Sequence, residues 1–535
     1  MSNLQKISAL KEKRDYDILN MLNSISNFEI FTPFEITQSM IELLPVEVFK
    51  KPEYKFLDPC VKSGIFLREI IYKLDEHLPR KMHTDLDSGI EYDLSDKKER
   101  TTHILRNMIY GIAISELTAY VARRTLYGVM EANKDKIDEY LKSRIILNRN
   151  ESAGDDDLNA YYDCNIFNTK DRKGFESEGN IFYPVNETTI DTEDAHYPFI
   201  DKTNHKIINK IKEGEMKFDV IIGNPPYQSS DGGHGASATP IYHKFVENSK
   251  RLNPKYISFI IPARWYSGGK GLDNFRRNML KDTSIKKLID YSNSKDCFPN
   301  VDIKGGVCYF LWDKNYNGKC EIINKFPNDE EVKYRYLNQF NIFFIRQNKS
   351  VDILEKILKK ESNSISKKIS PRKPFGLPTN FKNYTTKKNE GHYKIYGNKK
   401  ISYVDKKIIP KIHESFKYWK VLLPYASDGS GAYPIIVLGK PIISEPYSIC
   451  TETYLVTSFF KTKEEAINFA SYLKTKTVRF LISLLKNTQH FTREKALFVP
   501  DLEMNILWTD QILYEYFELT KEEIKYIEET IKPME

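Results

Sequence analysis

The chain has 535 residues, of which 40% are apolar and 29% are charged; this composition is typical of a globular protein that is too long for one hydrophobic core. No apolar run approaches the roughly 18 residues needed to span a bilayer, and the first residues contain no stretch of signal-peptide length. Six cysteines occur without a Cys-x-x-Cys pair or a paired Cys/His spacing, which favours reduced thiols and argues against structural zinc. We therefore expect two or three domains, a cytoplasmic location, and neither a membrane nor a metal partner.

Strand-like and helix-like segments alternate through the first part of the chain. In chain order, the patterns predict a helix start at 32–33, a strand at 55–59, a helix at 64–74, a strand at 108–114 and a helix at 116–127. Alternation at this spacing predicts an α/β fold with a doubly wound, mixed but mostly parallel sheet.

The alternation lapses at about 131–217, a polar segment that we interpret as inserted loops around one more edge of the sheet. A strand at 219–222 resumes the pattern, and further strands are predicted at 256–262, 285–291 and 305–312. The predicted organisation is a first domain at 1–318, an α+β domain at 319–505 and a helical C-terminal segment at 506–535.

The segment 218–227, FDVIIGNPPY, is the most specific motif of the chain. An apolar run is followed by Asn224, Pro225 and Pro226, which predicts a buried parallel strand that ends in a rigid turn, because proline fixes φ at about −65° and lacks an N–H. Such a turn presents oxygens. The Asn224 side chain and the Pro225 carbonyl can accept the two hydrogens of a planar amino group, while Tyr227 stacks on its ring. An ordinary exit from a strand into a loop is the alternative.

Positive charge is concentrated at 359–420. This segment holds 17 Lys or Arg against 4 acidic residues, an excess of +13, although the whole chain carries only +8. Nine aromatic residues are interleaved with these cations. Cations combined with stackable rings favour a polyanion that carries bases, which means nucleic acid. A lysine-rich solvated surface is the alternative.

A small-residue turn follows the first predicted strand. The strand ends in Asp58 and Pro59, and Ser63 and Gly64 open the next helix with Phe66 behind them. Ligands of doubly wound sheets lie at the carboxyl ends of strands, and a helix N-terminus attracts a carboxylate. The sequence has no phosphate-loop lysine motif after this turn and no dinucleotide-binding glycine fingerprint, which argues against a nucleoside triphosphatase and against NAD. A purely structural strand–turn–helix is the alternative.

Taken together, these motifs resemble one family. Their order is TP at 32–33, DPxxxSGxFL at 58–67, the strand at 108–114, GNPPY at 223–227 and a basic C-terminal domain. This order resembles the γ-type N6-adenine DNA methyltransferases of restriction–modification systems. The resemblance implies methyl transfer from S-adenosylmethionine to the N6 atom of an adenine that is flipped out of double-stranded DNA. It also implies that the first domain is catalytic and that 319–505 is a target recognition domain.

The resemblance assigns residues to the reaction. Asn224, Pro225, Pro226 and Tyr227 would form the catalytic corner, in which hydrogen bonds from N6 free the lone pair of the attacking nitrogen. The flipped base would stack on Tyr227 and on Phe298, although Phe298 could equally be a core residue. The cofactor would contact a larger set, namely Thr32, Pro33, Asp58, Pro59, Ser63, Gly64, Phe66, Glu116, Asn180 and Asn224.

The sequence departs from the family pattern at three positions. Lys62 stands where the first motif normally has a glycine. The acidic residue expected near the end of the second strand falls on Ala113, so that Ser115 or Glu116 would have to replace it. Asn180 stands where the family often has an acid, and an asparagine can make a comparable hydrogen bond.

Two loops of the second domain carry groups suited to base contacts. The predicted DNA-binding residues are Arg372 and Lys373 in one loop, and Asn487, Gln489, His490 and Arg493 in the other. Surface loops without DNA contacts are the alternative, and the target sequence cannot be read from them.

Two rival functions stay open. The same catalytic corner serves methyltransferases that act on RNA or on a protein glutamine, and a degenerate scaffold could bind DNA without catalysis. Only 31 residues precede the TP element, too few for a nuclease domain, so we expect any restriction endonuclease to be a separate polypeptide. The chain is expected to act as a monomer.

Overall fold

The computed structural model describes most of the chain. The described residues are 30–113, 118, 121–122, 125–126, 166–167, 199–200, 206–229, 239–299, 301–327, 329–341, 343–398, 400–427, 434–486 and 489–534. They form two compact units, Met1–Ile342 and Phe343–Glu535. Glu116, Asn180, Asn487 and most of the predicted inserted segment at 131–217 lie outside the described residues.

Strands and helices alternate in the first unit. Its strands are β1 Phe56–Val61, β2 Met82–Thr84, β3 Glu91–Asp93, β4 Ile109–Ala113, β5 Ile166–Phe167, β6 Val220–Gly223, β7 Tyr256–Pro262, β8 Ile285–Tyr291, β9 Val307–Asp313, β10 Cys320–Phe326 and β11 Asp329–Arg335. Its helices are α1 Phe34–Glu42, α2 Ile65–His77, α3 Lys97–His103, α4 Lys206–Glu213, α5 Tyr242–Arg251 and α6 Asp273–Lys281.

Nine of these strands build one sheet in the order β11-β10-β8-β9-β7-β6-β1-β4-β5. The pairs of β1 with β4 and β6, of β4 with β5, of β6 with β7 and of β8 with β10 are parallel. The strand β9 runs antiparallel between β7 and β8. The prediction of a doubly wound, mixed and mostly parallel sheet is therefore confirmed. β1 and β4 are buried along their whole length, as expected for strands covered on both faces.

The sheet continues past the predicted domain boundary at 318. β10 and β11 form an antiparallel pair that extends the sheet beyond β8, and the division between the units falls at 342/343. The first residues of β11, DEEVK, are rich in charge, which is typical of an edge strand protected from further pairing. A charged edge strand lacks the apolar run used to recognise the other strands, so the sequence places the boundary too early.

The second unit has an α+β architecture. Its strands are β12 His392–Gly397, β13 Lys400–Asp405, β14 Trp419–Pro424, β15 Ile442–Ser444, β16 Ser448–Cys450 and β17 Tyr454–Phe460. They form two three-stranded sheets, β13-β12-β16 and β15-β14-β17. Its helices are α7 Asn348–Lys360, α8 Lys463–Lys474, α9 Lys476–Ser483, α10 Asp510–Tyr516 and α11 Lys521–Thr530.

The predicted helical C-terminal segment is present as α10 and α11. Capping explains where its last helix begins, because Thr520 and Glu523 form a reciprocal capping box at the start of α11. The same device, with Thr462 and Glu465, starts α8. Within the described part of the chain, no helix combines the length and the apolar character needed to cross a membrane.

Candidate active site

The candidate active site lies where the sheet order reverses, between β1 and β6. From this point the chain winds outward in both directions, and ligands of doubly wound sheets bind at such a switch point. Asp58 of β1 and Gly223 at the end of β6 lie against each other there. A Cβ atom on Gly223 would meet Asp58 Oδ1 at 2.5 Å and Cys60 Sγ at 3.1 Å. Only glycine therefore fits the residue that precedes the Asn-Pro-Pro-Tyr corner.

The side chain of Asp58 forms a hydrogen bond at the end of its own strand, β1. Its Oδ1 accepts a hydrogen bond from the Cys60 amide at 3.0 Å, which fixes the turn after β1. Burial raises the pKa of the Asp58 carboxyl from 3.8 to about 7, although the hydrogen bonds from Cys60 and the charge of Lys62 oppose that shift. Asp58 is only 2% exposed, so its contacts in this conformation are with the protein.

Asn224 is held by two contacts from the segment that precedes α1. Its Nδ2 donates to the Ile30 carbonyl at 2.9 Å and to Thr32 Oγ1 at 3.0 Å. Because a backbone carbonyl can only accept, the contact with Ile30 fixes which end of the amide is the nitrogen. The Thr-Pro element at 32–33 and the corner at 223–227, which are far apart in sequence, are therefore in direct contact.

The other end of the same amide has no protein partner. Asn224 Oδ1 is buried and accepts no hydrogen bond from the described residues. A buried acceptor without a donor costs roughly 1–3 kcal/mol. The two hydrogen bonds that Nδ2 donates keep this oxygen oriented despite that cost. This is the arrangement expected of an acceptor whose donor belongs to a ligand.

Lys62, which replaces the glycine of the family motif, is part of the same network. Its ammonium donates to the Ile30 carbonyl at 2.6 Å, the oxygen that also accepts from Asn224. This departure from the family pattern therefore places a buried cation in contact with the backbone segment that orients Asn224. Sequence reasoning missed Ile30 because its contribution is a backbone oxygen, which no side-chain pattern reveals.

The rings assigned to base stacking differ in their surroundings. Tyr227 is 7% exposed, and its hydroxyl is a buried group without a partner among the described residues. Burial, with smaller contributions from Cys297, Cys308 and Cys60, raises the pKa of Tyr227 well above its ordinary value. Phe298 is 2% exposed and belongs to the hydrophobic core of the first unit. The core-packing alternative describes Phe298, so we leave it out of the proposed stacking.

The turn before α2 requires a glycine. Gly64 has a φ of 78° and precedes the first residue of α2, so no side chain of that residue caps the helix. A Cβ atom on Gly64 would meet the Ala122 backbone at 3.1 Å. Both Pro59 and Gly64 are buried, whereas Ser63 is half-buried. Phe66 is 3% exposed and packs in the core.

The second unit brings two of its predicted loops together. The Arg372 guanidinium lies over the ring of Tyr425 with Cζ 4.8 Å from the centroid, and the same ring stacks on His490 at 4.6 Å. Arg493 Nη2 donates to the Ile369 carbonyl at 2.9 Å, next to the Arg372 loop. Sequence reasoning missed Tyr425, because nothing in its local pattern distinguishes it from the other tyrosines.

The remaining residues of the predicted DNA surface are placed as follows. Lys373 pairs with Glu452, with Nζ 3.5 Å from Oε2. Gln489 is exposed, and its carbonyl accepts from the Ser427 amide at 3.0 Å. These two residues therefore flank the stack of Arg372, Tyr425 and His490.

A group of potential metal ligands lies beside the small hairpin of β2 and β3. His83, Asp85 and His103 each bring one donor atom within 4.8 Å of the others. His103 Nε2 contacts the Pro52 carbonyl at 2.9 Å, and its Nδ1 contacts the Asn107 amide at 3.0 Å. Burial lowers the pKa of His103. Both ring nitrogens of His103 therefore already have protein partners.

The sheet order and the Asn-Pro-Pro-Tyr corner define the class of the protein, an amino-methyltransferase built on a doubly wound sheet. Comparison with known families agrees with this class. Residues 107–298 match the Eco57I restriction-modification methylase family. A relative in Mycoplasma pneumoniae, described as an "uncharacterized adenine-specific methylase", is 36% identical over 330 residues, which are 59% of this chain and 74% of the relative. The chain belongs to this family of adenine-specific methylases of restriction–modification type.

Solved structures show more distant similarity. A nuclease-deletion mutant of the Type ISP restriction-modification enzyme LlaGI gives a TM-score of 0.43 at 11% identity, covering 96% of this chain and 48% of that structure. The type IIG restriction endonuclease BpuSI gives 0.40 at 11% identity, with 94% and 61% covered. A modification subunit of a putative type I restriction enzyme from Vibrio vulnificus gives 0.33 at 14% identity, with 62% and 54% covered. This chain spans about half to three fifths of these structures, so the activities and partners of the whole enzymes are not carried over to it.

Proposed function

We propose that the chain transfers a methyl group from S-adenosylmethionine to the N6 atom of a specific adenine in double-stranded DNA. The observation that carries this proposal is the side-chain oxygen of Asn224. It is buried and has no donor among the described residues, and the two hydrogen bonds from Nδ2 of the same amide fix its orientation. An exocyclic amine is the group that donates to such an oxygen. Membership in a family of adenine-specific methylases makes adenine the matching amine.

The residues around the switch point fit the proposed cofactor. No side chain caps α2 at Gly64, and the unpaired N–H groups and the dipole at a helix start favour a carboxylate. Asp58 and Gly223 leave no room for a larger side chain between β1 and β6. We assign the holding of S-adenosylmethionine to Thr32, Pro33, Asp58, Pro59, Ser63, Gly64 and Asn224. When bound, the cofactor supplies an electrophilic sulfonium methyl group.

The chain's own contribution to the reaction is the orientation of the amine. The lone pair of adenine N6 is delocalised into the ring, so the free base is a poor nucleophile. Hydrogen bonds from N6 to Asn224 Oδ1 and to the Pro225 carbonyl would draw the nitrogen towards tetrahedral geometry and make that lone pair available. Preorganised dipoles stabilise the positive charge that develops on the nitrogen, in the manner of an oxyanion hole with the sign reversed. The proton leaves the methylated nitrogen afterwards, so no strong base is required.

The target base must leave the duplex to reach this corner. A base within stacked DNA cannot be approached by a methyl donor in line with its amine, and enzymes that modify bases therefore flip them out. Tyr227 follows directly after the two prolines and is proposed to contact the flipped base. Contact with an aromatic ring recovers roughly 1–3 kcal/mol of the unstacking cost. The basic and aromatic second unit is proposed to bind the flanking DNA.

Transfer of tritium from labelled S-adenosylmethionine to DNA, RNA and cell protein tests the proposal. We expect label in double-stranded DNA, at N6 of adenine, for the wild-type chain. Asn224→Ala should lower the transfer rate by roughly 100-fold or more, because one catalytic hydrogen-bond acceptor is lost. Binding of the cofactor should weaken far less than transfer does, because the other six residues assigned to it are unchanged.

The matched control is Asn468→Ala. Asn468 is also buried, and its amide donates to the Met504 carbonyl at 2.9 Å, but it lies in the second unit. This variant should keep the wild-type transfer rate. Label in RNA or protein and none in DNA would overturn the proposal, as would an Asn224→Ala variant that methylates DNA at the wild-type rate.

A further inference from the structure

Four segments of the second unit converge on one ring. Arg372 lies in the loop that follows the turn at Ile365–Lys368, Tyr425 follows β14, Glu452 follows β16, and His490 precedes the turn at Arg493–Ala496. The contacts among these side chains join residues that are 53 to 80 positions apart along the chain, and the shortest separation is that of Arg372 and Tyr425.

The stack of Arg372, Tyr425 and His490 therefore forms only when the second unit folds, because no single sequence segment contains it.

Arg372 is held at two points and is still open to a ligand. Its side chain is 56% exposed, with Cζ 4.8 Å from the centroid of the Tyr425 ring. Its Nε lies 3.2 Å from Oε2 of Glu452. Among the described residues, no protein atom forms a hydrogen bond with either of its terminal amino groups. The guanidinium thus contacts a ring on one face and a carboxylate at Nε, while its outer edge remains available.

Glu452 is a firm anchor for this cation. It is 8% exposed, and its Oε1 accepts from the Thr379 amide at 3.1 Å. The hydrogen bond from Thr379 and the charges of Arg372 and Lys373 outweigh burial and lower the pKa of Glu452. A carboxylate that stays ionised at neutral pH keeps Arg372 in place.

The loop backbone is strained next to Arg372. Lys373 has a φ of 60°, a left-handed conformation that costs a residue with a side chain roughly 1–2 kcal/mol. Its Nζ lies 3.5 Å from the same Oε2 of Glu452, which helps to hold the strained backbone. Strain that is maintained by several contacts is common at binding sites.

The ring under Arg372 is fixed as well. Tyr425 and His490 stack at 4.6 Å with 17° between their planes. The Tyr425 carbonyl accepts from the Phe491 amide at 2.8 Å, so the segments that carry the two rings are paired through the backbone. The platform beneath the guanidinium therefore has little freedom to move.

We propose that Arg372 reads a guanine of the target sequence from the major groove, on a platform formed by Tyr425, Glu452 and His490. This inference rests on the proposed function, because it requires DNA as the substrate. A guanidinium is the side chain that donates two parallel hydrogen bonds to guanine O6 and N7. The carboxylate of Glu452 offsets part of the positive charge on which attraction to a phosphate depends, whereas the directional hydrogen bonds to guanine O6 and N7 depend on the planar fork.

Methylation-aware sequencing of DNA from cells that express the full-length chain tests the inference. The wild-type recognition sequence should contain a guanine. Arg372→Ala should relax selection at one guanine by roughly fivefold to 150-fold and leave the other positions selective. Arg372→Lys should behave similarly, because lysine keeps the charge and loses the planar fork. Thermal unfolding of both variants shows whether they fold. If the alanine variant does not fold, the lysine variant provides the test.

The matched control is Lys360→Ala. Lys360 also lies over a tyrosine ring, Tyr516, at 4.8 Å, and its Nζ pairs with Glu518 Oε1 at 3.0 Å. It lies at the end of α7, and its ring and its carboxylate belong to Tyr516 and Glu518 instead of the platform, so it should leave the recognition sequence unchanged. A wild-type site without guanine would overturn the inference, as would Arg372 variants that weaken methylation equally at all sequences or select the wild-type guanine as strictly as before. If the wild-type chain methylates no DNA, the proposed function fails and the inference fails with it.

Discussion

The Asn224 corner of the first unit and the Arg372 platform of the second unit hold a polar group in opposite ways. Asn224 is buried and fixed through its donor end, which leaves one acceptor exposed only to a ligand that enters the site. Arg372 is more than half exposed and is fixed by a ring and a carboxylate beside it. Both arrangements restrict orientation before a ligand binds.

The difference matches the tasks proposed for the two sites. An acceptor that must stabilise developing charge works best where water is excluded, because electrostatic interactions are stronger there. A donor that must compare base edges has to reach into a groove from the surface. Burial therefore separates the proposed chemistry from the proposed recognition, and substitutions in the two sites should have separable effects.

The largest effect is expected at Gly223. In Gly223→Ala the new methyl group would lie 2.5 Å from Asp58 Oδ1, so the buried strand end must shift. We expect a loss of about 1–3 kcal/mol in the free energy of unfolding and a strongly reduced methyl transfer. Denaturant unfolding and a transfer assay measure the two effects. Gly397→Ala is the control, because its nearest neighbour would lie at 3.7 Å; equal losses in both variants would contradict the close approach of β1 and β6.

A smaller effect is expected at Thr32. Thr32→Val removes the hydroxyl that accepts from Asn224 Nδ2, and the amide is then held by the Ile30 carbonyl alone. We expect the single-turnover transfer rate to fall by roughly tenfold, the equivalent of one hydrogen bond. Thr37→Val is the matched control, since its hydroxyl donates to the Pro33 carbonyl in the same segment. If both variants transfer at the same rate, Thr32 does not orient Asn224.

On the recognition side, Tyr425→Leu should have a moderate effect. It removes the ring beneath Arg372, and a cation–π contact at an exposed site is worth roughly 0.5–1 kcal/mol. We expect about twofold to fivefold weaker selection at the guanine read by Arg372, with the single-turnover rate at the preferred site unchanged. Tyr516→Leu, which removes the ring under Lys360, is the control. A large loss of transfer rate in Tyr425→Leu would contradict the prediction that substitutions in the two sites have separable effects.

A separate prediction concerns the pH dependence of stability, without a direct effect on methyl transfer. Burial raises the pKa of Asp58 from 3.8 to about 7, so the folded chain binds a proton more tightly than the unfolded chain does. The stability contributed by this protonation is complete below about pH 4 and is lost as the pH rises through about 7. Asp58→Asn should therefore gain stability relative to the wild type over this range, by at most about 1.4 kcal/mol per pH unit. A constant difference between pH 4 and 8, in denaturant unfolding, would contradict the raised pKa.

Much of the first unit could be predicted because its signals are local. The strand at 256–262 has the predicted bounds, since buried strands are continuous apolar runs. The strand at 285–291 also has the predicted bounds, although it includes two lysines. The Asn-Pro-Pro-Tyr corner is likewise a contiguous motif. Phe298 was equally consistent with a base contact and with core packing, because the sequence shows an aromatic residue and not its neighbours.

The second site could be predicted only in part, because distant segments build it. Arg372 and His490 were singled out by their chemistry, but Tyr425 and Glu452 have no local pattern that separates them from other residues of their type. The Ile30 carbonyl is a similar case in the first unit, where a backbone atom orients the central amide. Contacts between residues that are distant in sequence could not be predicted, because no local pattern reveals them.

The most direct test of the central claim compares two substitutions of Asn224 in single-turnover methylation of DNA. Asn224→Asp keeps a side-chain oxygen that can accept from adenine N6 and loses the donor group, whereas Asn224→Ala loses both. If acceptance of the N6 hydrogen drives the reaction, the aspartate variant should transfer methyl groups at least about tenfold faster than the alanine variant. Equally slow transfer in the two variants, with cofactor binding intact, would contradict that role for the oxygen.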